Sequence, residues 1–302
     1  MNEIGRREAI NRLAALAALP LLGLRGVPLP LMKRTIPGTD ERLPVVGVGT
    51  WQTFDVMPEG YPPLREVLTT LVAEGGSVID SSPMYGKSED VVGELSEELR
   101  LNEKLFIATK VWITGHREGI NQMSASMAKL RRNRIDLMQI HNLVDWRNHM
   151  RTLTKWKEEG RIRYIGLTHY TDSAHDTLAS VMTSNPVDFI QVNYNLLDRH
   201  AEQRLLPMAK DHNIGVLVNR PFEEGALFSR VNGKKLPPWA AEFDCNSWGQ
   251  FFLKYILSHP AVTCVIPGTS KAHHLLDNLA AGAGRLPDES HRKKMVTWIS
   301  NL

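Results

Sequence analysis

From residue 33 onward, short apolar runs alternate with longer stretches whose apolar residues recur at helical spacing. The short runs predict strands at 45–50, 77–80, 105–110, 136–141, 163–168, 188–193, 215–219 and 262–266. Between them lie predicted helices, among them 62–74, 89–101 and 118–131. In the first of these, Leu64, Val67, Leu68 and Leu71 fall at i, i+3, i+4 and i+7, one face of a helix. Ser88 followed by Glu89 and Asp90 reads as a helix N-cap with acidic residues at the positive end of the dipole. Ahead of the first run, Pro37-Gly38-Thr39-Asp40 reads as the turn of a β-hairpin.

Strands that alternate strictly with helices pair in parallel through right-handed crossovers. Eight such pairs in this length match a single closed (β/α)₈ TIM barrel with an N-terminal β-hairpin. A doubly wound open sheet is the alternative. It is disfavoured because Gly47-Val48-Gly49 leads into Thr50-Trp51 with no third glycine, so no dinucleotide-binding G-x-G-x-x-G follows an early strand. No linker or low-complexity tract divides residues 32–302, which are expected to form one domain.

The chain of 302 residues carries 36 Lys and Arg against 33 Asp and Glu, a net charge of +3 with both signs interspersed. That balance gives no reason to expect a nucleic-acid partner. At 42% apolar and 23% charged residues, the composition is that of a globular protein. Two cysteines, Cys245 and Cys264, are too few for a disulfide framework, and neither belongs to a zinc-ligand pair. No apolar run reaches the roughly 18–20 residues of a bilayer span, so no integral membrane segment is expected. At the start, Arg6-Arg7 precedes an Ala/Leu-rich stretch broken by Pro20 and Gly23. This is the layout of an export signal, and the adjacent arginines suggest the twin-arginine type, with its export machinery as a partner. Residues 1–31 are therefore expected to precede the domain and to direct it to the periplasm. If they instead form an amphipathic helix, the protein is expected in the cytoplasm.

Chemistry in a barrel belongs at the C-terminal ends of the strands. There the sequence places Asp80, followed by Ser81-Ser82-Pro83-Met84-Tyr85-Gly86, then Lys110, then His141. Singly, these residues read as a turn former, a solvated lysine and a hydrogen-bonded histidine. Together they make a proton donor with its tuning groups. A lysine beside a tyrosine favours the phenolate and draws its pKa down, an aspartate orients the lysine, and a histidine offers a second polar contact to a carbonyl oxygen. The chemistry requires no metal. A metal-dependent barrel hydrolase using Asp80 and His141 is opposed by Lys110, whose charge repels a cation at the centre of the mouth.

These four residues in this order resemble the catalytic tetrad of the aldo-keto reductases. The likeness extends over 33–302 and includes Gly47-Val48-Gly49-Thr50-Trp51, Gln191 and Ile266-Pro267-Gly268-Thr269-Ser270-Lys271. It implies hydride transfer from NADPH or NADH to an aldehyde or ketone, with Tyr85 as the general acid and no Rossmann domain. It further implies that Gly49, Thr50 and Trp51 flank the nicotinamide, with Trp51 as a pocket wall or a core aromatic, and that Gln191 binds the carboxamide. Where the family commonly has Ser-Asn, this chain has Thr168-His169. Where the family has a stacking aromatic, it has Asn219-Arg220-Pro221-Phe222, and Arg220 suits a pyrophosphate instead. Gly268 to Lys271 lead into a helix whose N-terminus favours an anion, and Lys271 suits a 2′-phosphate, which puts NADPH ahead of NADH. An arginine frequent in the family three residues on is His274 here; Asp277 and Asn278 match adenine-end positions. These departures leave a nucleotide-binding regulatory or scaffold barrel as the competing reading. The substrate and the oligomeric state are not legible.

Overall fold

Parallel pairing follows from the alternation of elements, and a computed structural model describes it for residues 30–302. The twin-arginine and export expectations fall on residues outside that range. Leu31–Leu302 forms one compact unit. It opens with a hairpin of β1 (Lys33–Thr35) and β2 (Arg42–Pro44), turned at Gly38, whose φ of 76° a glycine accommodates without strain.

Eight parallel strands follow in sequence order. They are β3 (Val48–Gly49), β4 (Val78–Asp80), β5 (Phe106–Val111), β6 (Ile135–His141), β7 (Ile162–His169), β8 (Phe189–Asn193), β9 (Gly215–Asn219) and β10 (Cys264–Val265). Single bridges Val46–Val265 and Gly49–Gly268 join the last strand to the first and close the barrel. At the second bridge a Cβ on Gly49 would stand 2.8 Å from the Ile266 carbonyl oxygen, so closure requires glycine there. The helices between strands include α1 (Tyr61–Ala73), α2 (Ser88–Glu98), α3 (His116–Lys129), α4 (Trp146–Glu158) and α5 (His175–Ser184). After β8 come α6 (His200–Gln203) and α7 (Leu205–Asp211), and after β9 come α8 (Ala226–Arg230) and α9 (Trp248–Leu257). The chain ends with α10 (Ala272–Ala280) and α11 (Glu289–Ser300).

Period-two alternation sorts the strand residues between two cores. Ile79, Ile107, Met138, Ile140 and Val192 face outward and pack under the helices, whose apolar faces supply Leu64, Val67, Leu68 and Leu71 of α1. Val78, Phe106, Leu137, Tyr164, Phe189 and Leu217 point inward and fill the barrel. Ile36 and Leu43 of the hairpin join this inner cluster and plug the bottom of the barrel. One capping expectation is corrected. Ser88 is the first residue of α2 rather than its cap, and its hydroxyl donates to the Thr50 carbonyl (3.4 Å).

Candidate active site

The alternation that sends Val78 and Phe106 inward carries the same face upward to Asp80 on β4 and Lys110 on β5, and on β6 to Gln139 and His141. Apolar layers below them give way to a polar layer at the C-terminal ends of the strands. Register aligns these groups, with Asp80 opposite Ala108, Lys110 opposite Gln139 and His141 opposite Thr168.

Lys110 is 1% exposed and Asp80 2%. The Lys110 ammonium donates to Asp80 Oδ2 and to the Ser81 carbonyl, both at 2.7 Å. Its third N–H is left for Tyr85, whose ring centroid lies 4.9 Å from Nζ. Burial disfavours the ammonium, but Asp80 and Tyr85 outweigh that cost and hold its pKa above the ordinary lysine value. Asp80 also accepts from Gln139 Nε2 at Oδ1 (3.0 Å) and from Gln191 Nε2 at Oδ2 (3.2 Å). The His141 ring stands edge-on to Tyr85, 6.1 Å between centroids, and its Nδ1 shares a hydrogen bond with the Ser82 hydroxyl (3.1 Å). Burial, helped by the Lys110 charge, pushes His141 down to about 3, so the imidazole is neutral at working pH.

The expectation for Tyr85 is corrected. Lys110 does draw the phenol down, but desolvation outweighs it and Asp80 adds to the rise, so its pKa lies above the ordinary value. At rest Tyr85 therefore keeps its proton, as a general acid must. The loop that carries it is pinned at both ends. Tyr85 N donates to the Ser82 carbonyl (3.0 Å), and Lys87 N donates to Asp55 (2.9 Å) across Gly86, whose φ is 59°.

Above these residues opens a cleft of about 580 Å³ whose floor includes Asp80, Tyr85, His141 and Gln191. Its walls are aromatic and apolar. Trp51, Met84, Trp112, Tyr170 and Phe228 all line it, each about two-fifths or more exposed. Large apolar side chains left open around a few convergent polar groups are the mark of a small-molecule site. The loops flanking the cleft also hold non-glycine residues in left-handed conformations: Asn142 and Leu143 on one side, Arg220, Glu223 and Glu224 on the other. Such strain collects where a site is pre-organised.

The model of the aldo/keto reductase family matches residues 45–294. The chain belongs to that family. Among curated relatives, aldo-keto reductase YhdN of Bacillus subtilis (strain 168) is 28% identical over 203 residues, 62% of this chain; the match spans 60% of YhdN's own length, less than two thirds. Methylglyoxal reductase YeaE of Escherichia coli (strain K12) is 29% identical over 248 residues, 80% of this chain and 86% of that protein. Among solved structures, an aldo/keto reductase from Klebsiella pneumoniae in complex with NADP and acetate superposes with a TM-score of 0.76 at 21% identity, covering 89% of this chain and 96% of that one, a likeness of fold.

In this aldo/keto reductase the remaining expected residues separate into two groups. Gly49, Thr50, Trp51, Thr168, Gln191, Asn219, Arg220, Pro221 and Gly268 line the cleft with the tetrad residues Asp80, Tyr85 and His141. Trp51, 40% exposed, is a wall of the cleft and not a core aromatic. His169 is turned away from the cleft, and its Nδ1 bonds the Thr171 amide (3.2 Å) and hydroxyl (3.1 Å). Thr269, Ser270, Lys271, Asp277 and Asn278 lie apart from the cleft lining. Thr269 is buried, and its hydroxyl accepts from the Lys271 amide (3.1 Å); Lys271 itself takes the N-cap position of α10. Both carboxylate oxygens of Asp277 are engaged, by the Ser247 hydroxyl (2.6 Å) and by Gln250 Nε2 (2.8 Å).

The residues present fit a nicotinamide nucleotide. Gln191 spends its amide N–H on Asp80 and leaves Oε1 buried without a partner, as Asn219 leaves its Oδ1; both side chains line the cleft. Unpartnered buried acceptors are costly unless a ligand donor satisfies them, and a primary carboxamide is such a donor. Sequence reasoning missed Gln139 and Ser82, which hold Asp80 and His141. Gln139 was findable, since it precedes His141 by two residues and shares its face of the strand. Ser82 gave no signal, because its partner lies on another strand.

Proposed function

We propose that this protein reduces the carbonyl group of an aldehyde or ketone to an alcohol with NADPH. The observation that carries the reading is the buried Asp80–Lys110 pair set against a protonated Tyr85 at the floor of an apolar cleft. When bound, the reduced nucleotide supplies the hydride for the carbonyl carbon. Tyr85 gives its proton to the carbonyl oxygen, completing the alcohol. Lys110 stabilises the phenolate left behind, and Asp80 keeps Lys110 charged and aimed. Neutral His141, fixed by Ser82, orients the oxygen. Gln191 and Asn219 would hold the carboxamide, with Gly49, Thr50, Trp51, Thr168 and Gly268 around the ring. Arg220 and Pro221 would meet the pyrophosphate, and Thr269, Ser270, Lys271, Asp277 and Asn278 the adenosine end. The walls favour carbonyl compounds with an apolar or aromatic body. Loss of the reduced-nicotinamide absorbance across a panel of aldehydes and ketones tests the reading. Tight nucleotide binding with no turnover on any of them would favour the scaffold alternative.

Preference for NADPH rests on Lys271, which is exposed at the start of α10 and makes no ion pair with a described carboxylate. Lys271→Ala should weaken NADPH much more than NADH, because only the former carries a 2′-phosphate. A charge-assisted contact is worth about 1.5–3 kcal/mol, so the preference should fall roughly ten-fold or more. Fluorescence titration of both nucleotides checks this, and equal weakening would remove Lys271 from phosphate recognition.

We also propose that Arg6-Arg7 begins a twin-arginine signal that exports the folded protein. Arg6→Lys with Arg7→Lys should then trap a periplasmic pool in the cytoplasm, because recognition needs the guanidinium pair and not charge alone. Cell fractionation decides it. A wild type confined to the cytoplasm, or normal export of the double variant, would end this reading.

A further inference from the structure

Two successive strand-to-helix loops at the rim of the barrel carry ligand-type side chains that carbonyl reduction does not use. After β7, Asp172 sits in a single 3₁₀ turn and His175 is the first residue of α5. After β8, Asp198 precedes His200, the first residue of α6. The loops bring these side chains together. His200 Nδ1 lies 2.6 Å from Asp172 Oδ2 and 3.4 Å from Asp198 Oδ1. One ligand atom from each of Asp172, Asp198 and His200 falls within 4.8 Å of the other two. His175 Nε2 stands 3.7 Å from the other oxygen of Asp172.

We propose that Asp172, Asp198 and His200 bind one divalent transition-metal ion of the zinc class. Two carboxylates neutralise a doubly charged cation, and three protein donors leave the fourth tetrahedral position of zinc to a water. Calcium and magnesium want six or more oxygens, which this set does not supply. The arrangement differs from an ordinary histidine ion pair. His291 also sits between two carboxylates, but through opposite ring nitrogens, Nδ1 to Asp288 (2.8 Å) and Nε2 to Glu242 (3.1 Å), so its acids flank the ring. At His200 both carboxylates converge on one nitrogen, where an ion replaces the proton.

The donors stand on braced backbone. The Asp198 amide donates to Asn195 Oδ1 (2.9 Å), and its carbonyl accepts from the Asn195 amide (2.8 Å), with Asn195 fully buried. On the other loop, the Thr171 hydroxyl and His169 Nδ1 are hydrogen-bonded (3.1 Å). Between Thr171 and His169 lies Tyr170, whose carbonyl accepts from Asn193 (2.9 Å) and whose ring lies 5.0 Å from the Arg220 guanidinium. An ion at the three donors would therefore tie the loop that carries this wall of the cleft to its neighbour, as a staple and not as part of the reaction.

The test uses the full-length, chelator-treated protein and zinc ion titrated against a chromophoric chelator, with thermal unfolding followed in parallel. The expected result is one ion per chain and a raised Tm. Asp172→Asn and His200→Gln, both at exposed positions, should each weaken binding by at least the 10–100-fold that even an outer-shell change costs and abolish the rise in Tm. His273→Gln, which alters an exposed histidine pair elsewhere, should bind as the wild type does. No uptake by the wild type would overturn the site. Equal uptake by the wild type and both loop variants would place the ion elsewhere and overturn it as well.

Discussion

Tyr85→Phe is expected to lower carbonyl reduction by ~10²–10⁴-fold, the worth of a positioned general acid. The substitution removes one hydroxyl and keeps the ring. The edge-on contact with His141 and the packing beside the Lys110 ammonium remain, so the cleft keeps its shape. Nucleotide affinity, measured by fluorescence titration, should stay within about two-fold, because the orphaned acceptors on Gln191 and Asn219 belong to other strands. The pH profile carries a second check. Reduction needs the protonated phenol, and the Tyr85 pKa is raised, so the rate should hold through neutrality and fall only on the alkaline side. His141, pushed down to about 3, should contribute no inflection near 6.5. Turnover by the phenylalanine variant within a factor of a few of wild type would remove Tyr85 from the acid role.

The parts of this site that could be read in the sequence are those that strand periodicity controls. Asp80, Lys110 and His141 end inward-facing faces of their strands, and a closed barrel brings the ends of neighbouring strands together. Tyr85 was accessible because a short loop can return a side chain to the mouth it leaves. What escaped depended on balances and on partners far apart in the chain. The direction of the Tyr85 shift is a contest between desolvation and the Lys110 charge, and residue spacing does not reveal which wins. Ser82 reaches His141 across 59 positions. The convergence of Asp172 with Asp198 and His200 needs two loops at a known separation around the barrel. Strand lengths were overestimated at the seam. The run expected at 262–266 yields a strand only at Cys264–Val265, although the Thr263 and Ile266 amides still donate to the Val216 and Val218 carbonyls (2.9 and 3.0 Å), and Pro267 has no N–H to carry the ladder further.

The Asp80–Lys110 pair should separate stability from catalysis. Lys110→Met leaves the Asp80 carboxylate buried with only Gln139 and Gln191 as donors, and Asp80→Asn leaves the ammonium with the Ser81 carbonyl and a neutral amide. Breaking a buried ion pair by removing one partner costs about 3–5 kcal/mol, so each single variant should shift the urea midpoint substantially at an unchanged m value. The double variant Asp80→Asn/Lys110→Met leaves no uncompensated charge. It should recover most of the lost stability, because buried pairs replaced by neutral groups are often close to neutral in free energy. Activity should not recover with it. Without Lys110 the Tyr85 phenolate loses its nearest cation and keeps only the weaker pull of Arg220 once the proton has left, so the two variants that lack Lys110 should stay at least ~10²-fold below wild type. Unfolding curves and steady-state rates on the same preparations give both readouts. If the double variant is destabilised by the sum of the two singles, the pair is not coupled through its charges. If it regains activity along with stability, the role of Lys110 is to hold the fold and not to tune the acid.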